Sequence, residues 1–299
     1  MEEQKGRVSD NTHSIEIKAR AKVNLSLDVT GKRPDGYHNI KTIMQTIKLY
    51  DKVVISKAKK GIEVVCSLNH LLSGNVPPGN DNIAYEAAKL FKDRYCIDYG
   101  VKIIIEKNIP VAAGLAGGSS NAAAVLKGMD KLFECGATDD DLISLGRNIG
   151  ADVPYCIKGG TMFAEGIGDI LTELRKLPQT WVLLVIPNIE VSTRWVYRKL
   201  NLSRIYTRPD MDLLLETIRR GRVDLLAINM VNILETVTAC KYTEINTIKE
   251  QLKDLGALGS IMSGSGPSVF GLFEDKHTAK RAEKTLIQTG WNVILTETL

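Results

Sequence analysis

Long apolar runs are missing from this chain of 299 residues, and with them any segment able to cross a bilayer as a helix. Its opening residues, Met1-Glu2-Glu3-Gln4-Lys5-Gly6-Arg7, are acidic and polar where a secretory leader is basic and then apolar. The expectation is a cytoplasmic protein with no membrane partner, and residues 1 to about 13 read as a loose extension before the first strand. Cysteine is scarce. Cys66, Cys96, Cys135, Cys156 and Cys240 are odd in number, scattered and without a Cys-x-x-Cys pair, and only four histidines accompany them. That pattern argues against a zinc framework or a disulfide scaffold and leaves reduced thiols. Internal repeats, low-complexity tracts and long linkers are also absent. Strong charge of one sign is lacking too: the net charge of +4 suits anionic substrates without demanding nucleic acid.

What is present is the composition of an ordinary globular protein, 44% hydrophobic and 25% charged, with room for two medium domains. The first strand has a period of two. Ile15, Ile17, Ala19, Ala21, Val23, Leu25 and Leu27 point one way, while Glu16, Lys18, Arg20, Lys22, Asn24, Ser26 and Asp28 point the other, so one face is expected in a core and one is polar. Turn residues over 30–36 precede further strands at 40–47 and 51–55. A loop over 73–80 leads to a helix at 82–95 and then to a buried strand at 101–106. A helix over 139–148 and a hairpin of 159–164 with 170–174 follow. After Pro178 come a strand at 181–186, helices between 192 and 255, a strand at 268–273, a helix at 276–288 and a last strand at 292–295. The division between domains is expected at 165, giving units 1–165 and 166–299.

The segment Pro110-Val111-Ala112-Ala113-Gly114-Leu115-Ala116-Gly117-Gly118-Ser119-Ser120-Asn121 joins the strand at 101–106 to a helix through a loop almost without side chains. Ala122, Val125, Leu126, Met129, Leu132 and Phe133 repeat at helical spacing after it, and Ser119, Ser120 or Asn121 is expected to cap the first turn. The glycines thus stand at a helix N-terminus, where unpaired N–H groups and the positive end of the dipole favour an anion, and missing Cβ atoms let a phosphate approach. The loop is no Walker A motif, since Ser119 rather than a lysine follows the last glycine. A cation must come from elsewhere in the chain or from a metal, and the hydroxyls of Ser119 and Ser120 are candidate phosphate or magnesium contacts.

Other candidates are less clear from local pattern alone. Lys22 either projects into a cleft or is a solvated strand lysine. Asp152, between Gly150-Ala151 and Val153-Pro154-Tyr155, is either a turn cap or a carboxylate able to accept a proton from an alcohol. Tyr37 and His38, just after a turn, can stack on and read a base, or Tyr37 can pack beneath its own turn. Trp195 and Tyr197 raise the same choice. Met262-Ser263-Gly264-Ser265-Gly266-Pro267-Ser268 is either a flexible turn or a wall facing the first glycine loop across a domain cleft.

Taken in order, Ala21-Lys22-Val23-Asn24-Leu25, the segment 110–121, Gly150-Ala151-Asp152-Val153-Pro154 and Ser263-Gly264-Ser265-Gly266-Pro267 resemble the motifs of the GHMP kinase superfamily over essentially the whole chain. The resemblance implies an α+β fold of two domains. The N-terminal one is an ATP-binding β-α unit like ribosomal protein S5 domain 2, and the C-terminal one is a ferredoxin-like α+β unit. It also implies ATP-dependent phosphorylation of an alcohol. Within the superfamily, Gly31-Lys32-Arg33-Pro34-Asp35-Gly36-Tyr37-His38 and Ala164-Glu165-Gly166-Ile167-Gly168 resemble members whose acceptor is a cytidine diphosphate ester of methylerythritol, on the non-mevalonate route to isoprenoid precursors. On that resemblance Asp152 is the catalytic base and Lys22 its partner, stabilising the alkoxide or the transferred phosphoryl. Pro110 to Ser120 hold the ATP phosphates, with Mg2+ bridging them and its protein ligands unknown. Tyr37 and Tyr197 sandwich the cytosine, His38 reads its edge, and Asn24 joins the substrate site. Small molecules are the expected partners of a monomer or homodimer, not nucleic acid. The competing readings are a GHMP kinase acting on homoserine, mevalonate or a sugar, and a non-catalytic nucleic-acid binder.

Overall fold

The computed structural model describes residues 14–69, 76–77 and 79–299. The expected N-terminal extension, and residues 73–75 and 78 of the expected loop, lie outside the described residues. In chain order the first part comprises β1 (Ser14–Lys32), β2 (His38–Ala58), β3 (Ile62–Leu68), α1 (Ile83–Tyr95), β4 (Gly100–Lys107), α2 (Gly117–Phe133), α3 (Asp139–Arg147), α4 (Val153–Lys158), β5 (Thr161–Glu165) and β6 (Ile170–Glu173). One edge of β2 pairs with β1. Its other edge pairs with β4 through 52–58 and with β5 through 42–45, so one long strand organises the sheet. β3 runs parallel to β4 on the outside, and β6 pairs antiparallel with β5. Helices α1 and α2 bury Phe91, Val125, Leu126 and Met129 against Val53, Ile55, Ile103 and Ile105 of this sheet.

The second part comprises β7 (Trp181–Ile186), α5 (Thr193–Lys199), α6 (Met211–Arg220), α7 (Val223–Ile228), α8 (Glu235–Lys241), α9 (Glu244–Asp254), β8 (Gly259–Met262), β9 (Val269–Phe273), α10 (Lys276–Ile287) and β10 (Asn292–Glu297). Its sheet has the order β10-β7-β9-β8 with antiparallel neighbours, the arrangement of a ferredoxin-like unit. The expected α+β class and its two kinds of unit are therefore borne out. The hairpin of β5 and β6 spans the expected division at 165, and both of its strands belong to the first sheet.

Four local expectations need correction. The strands expected at 40–47 and 51–55 are one continuous strand, because the residues between them are absorbed as a register shift against β1 opposite Arg20 and Lys22. β3 and β8 were not expected; β3 is a half-buried edge strand, and β8 begins at Gly259, whose Cβ would collide with the Ala227 backbone at 2.1 Å. No side chain caps α2: its N-cap is Ala116 in the left-handed region at φ 57°, without a side-chain hydrogen bond. Finally, β1 has no solvated polar face over 21–29, where Lys22, Asn24, Ser26 and Asp28 are buried together with the apolar set.

That burial follows from the path of β1 through three cores. Ile15, Ile17 and Ala19 face the core beneath α1 and α2. Ala21, Val23 and Leu25 enter a core shared with Val182, Leu184, Ile261 and Phe270 of the second sheet. Leu27 and Val29 enter a third, formed with Leu183, Val185, Ile233 and Met262. Beyond the apolar contacts, the Leu27 N–H donates to the Val231 carbonyl at 2.9 Å and the Ile233 N–H donates to the Leu27 carbonyl at 3.0 Å. The chain also returns at its other end, where the Leu299 N–H donates to the Thr46 carbonyl at 3.1 Å.

Candidate active site

The glycine loop is anchored from below by a buried carboxylate. Asp51 Oδ1 accepts the backbone N–H groups of Asn108 at 2.7 Å and Ile109 at 2.8 Å, at the exit of β4. Its Oδ2 accepts Asn121 Nδ2 at 2.8 Å and the ammonium of Lys107, which also donates to Asn121 Oδ1 at 3.0 Å. Entry and exit of the loop are thus tied to one point. A Cβ on Gly117 would come within 3.1 Å of Lys107 Nζ, so this ammonium lies directly under the start of α2.

From above, the loop is held by the second unit. Gly114 has φ 75°, and a Cβ there would stand 2.3 Å from the Ser263 carbonyl oxygen, a backbone atom that cannot swing away. Ser263 Oγ donates to the Gly114 carbonyl at 2.9 Å and accepts the Asn24 N–H at 3.4 Å. The small-residue loop over 262–268 therefore faces the glycine loop, as the second of its two readings had it, but packs directly on it where that reading placed a domain cleft between them. Helical bonding in α2 begins with the Ser120 N–H donating to the Ala116 carbonyl at 2.8 Å, so the amides ahead of it are available to an anion at the positive end of a helix of 17 residues.

Two cavities adjoin this loop. A cavity of about 350 Å³ is lined by Pro110 through Ser119 together with Asn82, Ile83 and Lys107. A second, of about 940 Å³, brings together Lys22, Asn24, Tyr37, His38, Asp152 and Tyr197, although these residues are up to 175 positions apart in sequence. Gly114, Ala116 and Ser119 line both cavities and connect them. Ser120 does not join them: its hydroxyl donates to the Arg20 carbonyl at 2.7 Å and is buried. Of the two expected hydroxyl contacts, only that of Ser119 faces the cavities.

At the floor of the larger cavity, Lys22 Nζ stands 3.5 Å from Asp152 Oδ2. β1 fixes the lysine, which is 4% exposed, and the start of α4 fixes the aspartate. Asp152 occupies the N-cap position of α4 but makes no side-chain capping bond, so its carboxylate remains turned to the lysine and the cavity. Lys22 Nζ also donates to Asn24 Oδ1 at 2.7 Å, and Asn24 Nδ2 donates to Thr42 Oγ1 at 2.8 Å. A carboxylate beside an ammonium can accept the proton of an alcohol while the cation meets the charge that develops.

The other end of the cavity is aromatic. The rings of His38 and Tyr197 are 5.1 Å apart, tilted by 39°, whereas Tyr37 is 59% exposed. Burial and then the charge of Lys32 lower the His38 pKa, leaving a neutral imidazole at neutral pH. Burial pushes the Tyr197 hydroxyl up, so it stays protonated. Trp195, the alternative aromatic on α5, turns away from the cavity and packs edge-on at 6.4 Å from Tyr242. Three cations reach the same rim: Lys32, Arg194 and Arg198. The two arginines are one helical turn apart, a spacing that the sequence carried but that only the position of α5 over the cavity makes meaningful. Thr42 and Lys107 were likewise passed over, since nothing in a strand pattern marks a threonine or a lysine whose partners come from other elements. Among the described residues no group of three or more histidine, cysteine, aspartate or glutamate side chains could hold a metal, and no helix is long and apolar enough to cross a membrane.

Comparison with known proteins agrees with this geometry. Residues 82–160 match the family model for the N-terminal domain of GHMP kinases, and residues 214–291 match that for the C-terminal domain. A 4-diphosphocytidyl-2-C-methyl-D-erythritol kinase of Acetivibrio thermocellus is 53% identical over 96% of this chain and 99% of its own. One from Clostridium botulinum (strain Langeland) is 48% identical over 94% and 99%. Among solved structures, a 4-(cytidine 5'-diphospho)-2C-methyl-D-erythritol kinase superposes with a TM-score of 0.80 at 33% identity, covering 95% of this chain and 99% of that one. A homoserine kinase from Cytophaga hutchinsonii reaches a TM-score of 0.78 at 19% identity, which shows the shared fold alone. With 53% identity to the Acetivibrio thermocellus kinase over nearly the full length of both chains, the protein belongs to the GHMP kinases and, among them, to the family of 4-diphosphocytidyl-2-C-methyl-D-erythritol kinases.

Proposed function

We propose that this chain transfers the γ-phosphoryl group of ATP to the 2-hydroxyl of 4-diphosphocytidyl-2-C-methyl-D-erythritol, in the non-mevalonate route to isoprenoid precursors. The observation that carries the reading is the Lys22–Asp152 pair, 3.5 Å apart, on the floor of a cavity that continues over the glycine loop. Phosphoryl transfer asks a protein mainly for positioning and for charge stabilisation in line with the attacking and leaving oxygens. In this reading the ATP phosphates lie on the amides at the start of α2, between Gly114 and Ser119. The acceptor hydroxyl lies against Asp152, which takes its proton as the oxygen attacks phosphorus. Lys22 meets the charge on the acceptor oxygen and on the transferred group.

At the far end, Tyr37 and Tyr197 flank the cytosine and His38 bonds to its edge, with stacking worth roughly 1–3 kcal/mol per ring. Asn24 borders the acceptor. Magnesium, when bound with ATP, neutralises the β- and γ-phosphates. The donor set fits such an ion only as one carried by the phosphates, with the Ser119 hydroxyl as the protein's contribution, because no carboxylate cluster stands ready for it among the described residues. We assign ATP binding to the N-terminal unit and draw its boundary in the segment 174–180 rather than at 165, because β6 pairs within the first sheet. A cytosolic setting accords with the scattered free thiols.

The test is direct. Incubation with ATP, Mg2+ and the cytidine diphosphate substrate should yield ADP and a product heavier by one phosphoryl group. Asp152→Asn and Lys22→Ala should each lose kcat by about 100-fold or more. Near-normal turnover in both variants would remove the pair from the mechanism, and turnover of homoserine or mevalonate instead would reassign the acceptor.

A further inference from the structure

The Lys22–Asp152 pair is the end of a longer chain of hydrogen bonds, and its other end lies in β2. Thr42 Oγ1 donates to the Ser26 carbonyl at 2.6 Å, so its proton is committed. The oxygen of Thr42 is thereby left to act as an acceptor, and Asn24 Nδ2 donates to it at 2.8 Å. With its amide nitrogen held there, Asn24 must present Oδ1 to the other side, where it accepts Lys22 Nζ at 2.7 Å. The Ser26 carbonyl is reachable because the pairing of β1 with β2 slips by one residue between Asn24 and Ser26. Lys22, Asn24 and Thr42 are buried, with Thr42 only 1% exposed, whereas Asp152 is part-exposed to the cavity.

The direction of this chain has a chemical consequence. An amide rotated by half a turn would aim its NH2 group at the Lys22 ammonium, donor against donor, and would push the cation away from its place beside Asp152. Asn24 alone cannot forbid that rotation, because its two ends are nearly equal in shape. The hydroxyl of Thr42 can, since its only proton is already spent on a backbone carbonyl. We propose that Thr42 is a positioning residue for phosphoryl transfer: it fixes the orientation of the Asn24 amide and, through it, the position of the Lys22 ammonium against Asp152. This rests on the functional reading above for the roles of Lys22 and Asp152.

The experiment compares Thr42→Val, which keeps the shape and removes the hydroxyl, with Thr42→Ser, which keeps the hydroxyl, and repeats Thr42→Val in an Asn24→Ala background. Displacement of a reacting group by about 1 Å can cost on the order of 100-fold in rate. Thr42→Val should therefore lower kcat by about 10- to 100-fold with the KM for ATP unchanged, and Thr42→Ser should restore it to within about threefold of wild type. In the Asn24→Ala background, adding Thr42→Val should change kcat by less than about twofold, because the amide through which it acts is gone. A full additional loss in that background, or a Thr42→Val enzyme with wild-type kcat, would overturn the proposal. If Thr42→Val does not fold, Thr42→Ala carries the same comparison. A wild-type enzyme without turnover would instead refute the assignment of the reaction, which keeps the two failures apart.

Discussion

The buried carboxylate beneath the glycine loop offers the most demanding quantitative test. Asp51 is 0% exposed and its partner Lys107 is 5% exposed, so neither charge has water to fall back on. Replacing Asp51 by asparagine keeps the volume but leaves one acceptor oxygen where there were two. If that oxygen faces the N–H groups of Asn108 and Ile109, the NH2 group faces Lys107 and Asn121 Nδ2; if it is reversed, the two backbone donors are orphaned. Breaking a buried ion pair from one side costs about 3–5 kcal/mol. Here the lower end applies, about 3 kcal/mol, because Lys107 keeps its bond to Asn121 Oδ1 at 3.0 Å. Urea unfolding measures it. The three tryptophans, Trp181, Trp195 and Trp291, all lie after residue 180, so their fluorescence follows the second unit while far-ultraviolet circular dichroism follows both. Coincident transitions would establish that the units unfold together and justify a single free energy. The companion Asp51→Asn/Lys107→Met protein removes the stranded ammonium as well and should recover at least about 1 kcal/mol of the loss. A single variant that loses less than about 1 kcal/mol, or a double variant no better than the single, would refute this account of the anchor.

Two further outcomes follow from the site. Gly114→Ala introduces a Cβ 2.3 Å from the Ser263 carbonyl at φ 75°, so it should raise the KM for ATP by about tenfold or more and lower the melting temperature. Gly118→Ala, inside α2 and with its Cβ meeting nothing nearer than Ile83 at 3.6 Å, should leave the melting temperature unchanged or slightly raised. His38 has its pKa lowered by burial and by Lys32, so the folded imidazole takes up a proton only below the ordinary value of about 6.5. Its contribution to stability is complete above that value and is lost as pH falls through the depressed one. The KM for the cytidine substrate should rise over the same acid range, and His38→Gln should flatten that rise; an unaltered profile in the variant would exclude His38 as its source.

Much of this site could be read before the structure, and the reason is chemical. A loop that must let phosphate reach the backbone has few side chains to vary, and Gly114, Gly117 and Gly118 at a strand-to-helix junction announce it. Lys22 and Asp152 are different. Each had a better structural than functional explanation in its own neighbourhood, and only the resemblance joined them; the closing of β1 onto α4 is a tertiary event without a local signature. Strand periodicity also misjudged β1, because alternation presumes that one face sees water, whereas residues 21–29 are enclosed on both faces. The cap on α2 expected from Ser119, Ser120 or Asn121 failed for a related reason. Ala116 turns into the left-handed region there, and Ser120 is drawn instead to the Arg20 carbonyl of the neighbouring strand. The sandwich proposed for Tyr37 and Tyr197 rests on the resemblance, and the contact that the rings do make, between His38 and Tyr197, was not legible at all.

The passage of β1 through three cores bears on the order in which the molecule can assemble. A chain leaving the ribosome presents β1 early, and its first third can pack as soon as α1 and α2 have emerged. Leu27 and Val29 cannot, because the backbone that satisfies Leu27 belongs to Val231 and Ile233, some two hundred residues later. Until then the C-terminal third of β1 carries apolar side chains and unpaired backbone groups that invite wrong partners. Folding of the first unit is therefore completed only by the second, and the strand that holds Lys22 is secured late. Substitutions at Leu27 or Ile233, remote from any reacting atom, should be felt as low yield of soluble protein before they are felt in the rate of the molecules that do fold.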